Sequence, residues 1–168
     1  NSVEYVISYY AVLKTGAAVV PFSNDLKPAT IDHLLRELAP KAVISSKKFE
    51  RLLNACRLSD SSISLMVLLN QGRDWTHLGI TVLPFSKIDE YEGNENLDVR
   101  IDPDSLATIN YTSGSSGTPK GVMLSHTNIM ANTRSICQYL KLTSNDIQMV
   151  VLPFFYVMGK SLLNTLFS

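Results

Sequence analysis

Residues 111–121 run Tyr-Thr-Ser-Gly-Ser-Ser-Gly-Thr-Pro-Lys-Gly, and their types and spacing suit one kind of chemistry. Thr112, Ser113, Ser115, Ser116 and Thr118 supply rotatable hydroxyl donors. Gly114, Gly117 and Gly121 let the backbone reach positive φ, so that amide N–H groups can turn into a concave nest for anionic oxygens. Lys120 adds a point charge without the planar demands of an arginine fork. A polyphosphate is the ligand best served by that set. Other loops fail on spacing. A Walker A loop needs Lys directly after its second Gly, whereas Lys120 follows Gly117 by three positions. A nucleophile elbow needs Gly two residues after its Ser, where Ser116 has Thr118. The Ser-x-x-Lys of penicillin-binding enzymes would need a serine at position 117, which is Gly. A plain flexible linker shares this composition. The position between an apolar strand and a second β-like run at Val122-Met123-Leu124, together with the Pro119-Lys120 pair, favours the anion cradle.

The remaining reactive side chains form no constellation. Cys56 and Cys137 lie far apart, neither with a Cys or His at metal-ligand spacing. Phe49, Leu52 and Leu53 precede Cys56, and Ile129, Thr133 and Ile136 precede Cys137, so both read as buried free thiols on apolar helix faces. No metal site is expected. His33 and His77 read as surface residues, and His126 as a structural residue that caps or orients the helix after the loop. Asn110-Tyr111-Thr112 matches a glycosylation acceptor formally, but it falls in an apolar strand and is discounted.

The elements that must position the loop alternate between helix and strand. Val3, Val6, Ile7, Tyr10 and Leu13 recur at helical spacing before Gly16, predicting a helix from Ser2 to about Thr15. Ala17–Phe22 reads as a buried strand. Pro28 opens a second helix carrying Ile31, Leu34, Leu35 and Leu38, which Pro40 closes. Lys41–Ser45 is a strand, Phe49–Cys56 a third helix, and Leu65–Leu69 a strand apolar enough to be covered on both faces. The polar stretches Asn70–Gly79 and Asp89–Asp104 read as loops around a short strand at Thr81-Val82-Leu83. A strand at Leu106–Tyr111 leads into the loop; Ser125 then caps a helix from about Thr127 to Leu140, and Met149–Leu152 gives a last strand. This alternation predicts an α/β fold with a mostly parallel sheet covered by helices on both faces.

Composition bounds the function class. The 168 residues carry 15 Lys+Arg against 15 Asp+Glu, so a non-specific nucleic-acid binder with a basic surface is excluded. At 45% hydrophobic and 18% charged residues the chain is too apolar for disorder, and no apolar run reaches the roughly 18 to 20 residues that span a bilayer. The N-terminus has neither a basic region nor a cleavage site, so the expectation is a soluble, cytoplasmic protein. The chain opens inside a helical pattern without Met and ends on an apolar stretch with no stop signal. It therefore reads as a piece of something longer.

The run Tyr111–Val122, followed by Ser125-His126, resembles the signature of the adenylate-forming superfamily, which includes acyl-CoA synthetases, luciferases and the adenylation domains of peptide synthetases. Ser115-Ser116 stands where the usual family form has Thr-Thr, a swap that keeps both hydroxyls. Two further segments agree in order: Ala11–Pro21 looks like the family's upstream helix-to-strand segment, and Leu152-Pro153-Phe154-Phe155 with Gly159 like its acyl-site segment.

The resemblance implies that residues 1–168 are a single partial domain, internal to the large N-terminal AMP-binding domain, with the C-terminal domain absent. It implies a ligase that uses ATP, Mg²⁺ and CoA to turn a small carboxylic acid, fatty or other, into a thioester through acyl-AMP. By the same resemblance, Thr112, Ser113, Gly114, Ser115, Ser116, Gly117 and Thr118 wrap the β- and γ-phosphates, with Lys120 approaching as the catalytic cation. Tyr156 and Gly159 would line the acyl site. Tyr156 departs from the His that many acyl-activating members place there; its phenol can donate one hydrogen bond but does not titrate near neutrality, and an ordinary packing role fits it equally. On this reading the piece is inactive alone, and its cut apolar edges drive self-association. The alternative is a non-catalytic nucleotide- or polyphosphate-binding module.

Overall fold

The computed structural model describes residues 1–70, 74–90, 98–112 and 119–168. They form two compact units, residues 24–96 and residues 1–23 with 97–168.

In the first unit, helix α2 (Pro28–Leu38) begins on Pro28, whose missing N–H costs nothing at a helix start, and ends on Ala39 in the left-handed region at φ 45°. The apolar face of α2 buries Ile31, Leu34 and Leu35 as its spacing predicts. Strands β1 (Ala42–Ser46), β2 (Leu65–Leu69) and β3 (Thr81–Pro84) pair in that order, all parallel, with Ile44 opposite Val67 and Val67 opposite Leu83. Met66 and Leu68 on β2 are closed off from solvent while Leu65, Val67 and Leu69 are half-buried. One face of β2 is thus fully covered and the other only partly. Trp75, Ile80, Ile63 and Leu58 are among the buried residues of this core.

The third helix is shorter than its pattern suggests. Lys47–Phe49 winds as a 3₁₀ turn and α3 holds only Glu50–Asn54. Cys56 lies just past α3, half-buried and free, with its thiol donating to the Leu52 carbonyl at 3.1 Å. Burial pushes that thiol up to about 11, so it stays protonated and unreactive at neutral pH.

In the second unit, α1 (Val3–Lys14) starts under a Ser2 side chain that accepts from the Tyr5 N–H and stops before Gly16 at φ 77°. The strand predicted at Ala17–Phe22 reduces to a parallel bridge between Val19 and Thr108. Pro21 has no N–H to give a ladder, which limits pairing there. Strands β4 (Leu106–Thr112) and β5 (Lys120–Ser125) make an antiparallel hairpin, the one departure from a parallel arrangement among the described strands. Helix α4 (His126–Leu140) follows directly, closed at its N-terminus by a reciprocal capping box between Ser125 and Asn128. Ser125 therefore does the capping, and His126 is the first helical residue rather than a cap.

A further expected strand is not formed in this unit. Residues 149–152 form no ladder among the described residues, and Met149 and Val151 are 84% and 75% exposed. Their apolar alternation has the period of a strand, but pairing needs a partner edge, and none reaches them here. The sequence also hid a helix: α5 (Val157–Leu166) buries Gly159, Ser161, Leu163 and Thr165. Its inward face mixes glycine, hydroxyls and a lysine with leucine, so a purely apolar periodicity misses it.

Candidate functional site

The β4–β5 hairpin sets the geometry. Thr112 stands directly opposite Lys120, Tyr111 opposite Gly121 and Asn110 opposite Val122. The strand ends are therefore clamped together. Thr112 and Lys120 are both exposed at that mouth, and the Thr112 hydroxyl donates to the Lys120 carbonyl at 3.4 Å. The six residues Ser113, Gly114, Ser115, Ser116, Gly117 and Thr118 lie outside the described residues.

β4 is held on both edges. The Val19 N–H donates to the Ala107 carbonyl at 2.9 Å, the Ile109 N–H to the Val19 carbonyl at 3.1 Å, and the Thr108 hydroxyl to that same carbonyl at 2.7 Å. Gly121 is required by its neighbours across the hairpin: a Cβ there would lie 2.9 Å from an Ile109 methyl and 3.4 Å from the Tyr111 ring. The foot of the loop is accordingly a two-stranded hairpin braced on its far edge by the Val19 bridge.

The predicted acyl-site segment folds as a turn tied to α1. Asn1 donates from its side chain to the Leu152 carbonyl at 2.9 Å and accepts from the Phe154 N–H at 2.8 Å, while the Tyr5 hydroxyl donates to the Phe154 carbonyl at 3.1 Å. The Tyr156 N–H closes the turn on the Pro153 carbonyl at 3.0 Å. Tyr156 is the N-cap of α5, 58% exposed, with its ring against Phe155 at 4.6 Å. Among the described residues its ring meets Phe155 and not the hairpin, as an exposed aromatic. Gly159 is buried against the Pro153 carbonyl.

What joins the two segments is a residue the sequence reading passed over. Lys160 is 4% exposed and its ammonium donates to the side-chain carbonyl of Asn110, itself 3% exposed. The Asn110 amide nitrogen is buried with no partner, and Lys160 forms no ion pair among the described residues. A lysine inside the apolar run from Val157 to Leu166 was the available signal, since an ammonium is seldom buried without a purpose.

Burial pushes the Lys160 ammonium down to about 8, against an ordinary value of 10.5. Between those values the unfolded chain holds the proton more tightly than the folded one, so stability rises with pH across the window and the full penalty applies below it. Tyr10, pushed up to about 12 by burial, acts in the other sense: its contribution is lost as pH climbs above the ordinary tyrosine value of 10. Urea midpoints are expected to climb from pH 8 to about pH 9, where loss of the Cys56 contribution begins to oppose the gain, and to fall above about pH 10, with the climb absent in Lys160→Met; a flat wild-type profile between pH 8 and 9 would contradict the assignment.

The other candidate side chains are placed without chemistry. His33 is exposed and 3.6 Å from Glu37 one turn on, His77 is exposed, and the His126 Nε2 is buried without a partner. Cys137 is half-buried and free, 3.1 Å from the Ser168 hydroxyl. Among the described residues no three His, Cys, Asp or Glu side chains cluster to hold a metal, and no helix is long and apolar enough to cross a membrane.

A family model described as AMP-binding enzyme matches residues 1–168. The chain belongs to the AMP-binding enzyme family. Among its relatives, the medium-chain fatty-acid–CoA ligase of Escherichia coli is 30% identical over 161 residues, covering 93% of this chain and 28% of the ligase. The fold is that of a long-chain-fatty-acid CoA ligase from Rhodopseudomonas palustris, with a TM-score of 0.83, 22% identity, and coverage of 99% of this chain and 40% of that one. ATP-bound MatB from the same organism matches at a TM-score of 0.73 and 24% identity, over 99% of this chain and 31% of its own. The AMP-binding chain described here thus spans less than half the length of each of these three.

Proposed function

We propose that this chain is the phosphate-loop part of a larger ligase that activates a carboxylic acid with ATP and passes it to a thiol, CoA in the first instance. The observation that carries the reading is the clamped mouth of the hairpin, where exposed Thr112 and Lys120 flank the glycine-hydroxyl run. In the first half-reaction a carboxylate oxygen forms a bond to the α-phosphorus of ATP, and the bond to the bridging oxygen breaks, its electron pair leaving with pyrophosphate. In the second, a thiol sulfur attacks the acyl carbonyl and AMP departs with the electron pair of the anhydride bond.

Bringing an anion to a polyanion is the physical difficulty, and fixed donors at the leaving group address it. Thr112, Ser113, Gly114, Ser115, Ser116, Gly117 and Thr118 surround the β- and γ-phosphates on this reading, and the Lys120 ammonium neutralises charge as pyrophosphate leaves. The residues present fit such a ligand: an exposed hydroxyl, Thr112, and an exposed cation, Lys120, stand opposite each other at the two feet of the glycine-hydroxyl run. Mg²⁺ carried by the nucleotide would supply further neutralisation of the phosphates. Tyr156 and Gly159 mark one edge of the acyl site. The 168 residues by themselves give no turnover. The test is acid-dependent exchange of labelled pyrophosphate into ATP by the full-length protein; no exchange with any member of a broad acid panel overturns the reading.

A further inference from the structure

We propose that Lys160 and Asn110 read a second carboxylate on the acid, so that the ligase activates dicarboxylic acids in preference to plain fatty acids. The inference rests on the ligase reading above and specifies its substrate class.

The argument begins with donors and acceptors. An ammonium offers three N–H groups and a side-chain amide two more. The only acceptor in the pair is the Asn110 carbonyl, which Lys160 already uses, while the Asn110 amide nitrogen has no partner at all. Both side chains are at least nine-tenths buried, at 4% and 3% exposure, so water does not make up the difference. No carboxylate of the described chain neutralises Lys160. A buried cluster rich in donors, short of acceptors and carrying one positive charge is complementary to a small anion.

Position selects the source of that anion. Asn110 and Thr112 lie on one face of β4, about 7 Å apart at strand spacing, which puts the pair just inside the mouth of the phosphate loop. Lys160 directly follows Gly159 in the segment expected to edge the acyl site. On the ligase reading the nucleotide's phosphates take the exposed side chains Thr112 and Lys120, which leaves the enclosed pair for the acid. The flexible four-carbon stem of Lys160 lets its ammonium turn from Asn110 to an incoming carboxylate.

The experiment measures pyrophosphate exchange by the full-length protein with matched mono- and dicarboxylic acids of short to medium chain length. The wild type is expected to favour the dicarboxylic member by about ten-thousandfold in kcat/KM, the lower end of the scale at which a site built for a polar group rejects an analogue lacking it. Lys160→Met should reverse that preference. Asn110→Asp, which hands Lys160 a carboxylate of its own at unchanged size, should erase the preference while keeping the fold, and it covers the case in which Lys160→Met does not fold. A wild type that favours monocarboxylic acids, or a ratio that neither variant moves, overturns the inference and leaves the ligase reading standing. Absence of exchange with every acid overturns the ligase reading, and this inference with it.

Discussion

Gly159→Ala is expected to lower stability by about 3 kcal/mol, the upper part of the range for forcing atoms into a packed interior. A Cβ at this position would lie 2.2 Å from the Pro153 carbonyl oxygen, 2.8 Å from its carbon and 3.0 Å from the Leu152 oxygen. All three are backbone atoms, so no rotamer change relieves the clash. The turn that must give way is the one Asn1 and Tyr5 hold to α1 and Tyr156 closes. Alanine gains about 1 kcal/mol of helix propensity over glycine, too little to change the sign. At roughly 3 °C per kcal/mol for a domain of this size, calorimetry should record a loss of about 10 °C in Tm. An unchanged Tm would mean that α5 does not start against the Pro153 turn.

Lys120→Ala is expected to leave the fold intact and remove most of the chemistry. The side chain is exposed at the end of β5 and makes no ion pair among the described residues, so truncation should alter stability by no more than about 0.5 kcal/mol. If its ammonium stabilises the departing pyrophosphate, kcat/KM for exchange should fall about a hundredfold, the usual cost of deleting one preorganised donor from a developing anion. Lys120→Arg keeps the charge but presents a planar fork in place of a point charge, and should restore only part of the rate. Steady-state kinetics alongside thermal melts separate the two effects. Unaltered exchange in Lys120→Ala would remove Lys120 from the site.

The contrast between these residues explains what the sequence made legible. The two strand-like runs around the loop were readable because β-branched and apolar residues flank glycines and hydroxyls at fixed spacing, whereas their antiparallel pairing, with Thr112 opposite Lys120, was not. α1, α2, α4 and the three parallel strands follow from apolar periodicity and from clear start signals at Pro28 and Ser125. Periodicity misled where pairing depends on something outside the segment: residues 149–152 alternate like a strand yet have no ladder. It was silent where the buried face is polar, as in α5, where Lys160, Ser161 and Thr165 are buried. Lys160 belongs to both the hidden helix and the candidate site, and only tertiary structure pairs it with Asn110, fifty residues away in sequence.

The most direct test of the central claim, that the loop presents ATP for attack by a carboxylate at the α-phosphorus, is the exchange of labelled pyrophosphate into ATP by the full-length protein, with and without acid. Exchange that appears only when the acid is present, with AMP as the nucleotide product once a thiol is added, is the predicted result. Exchange that ignores the acid, or cleavage of ATP to ADP and phosphate, would contradict it.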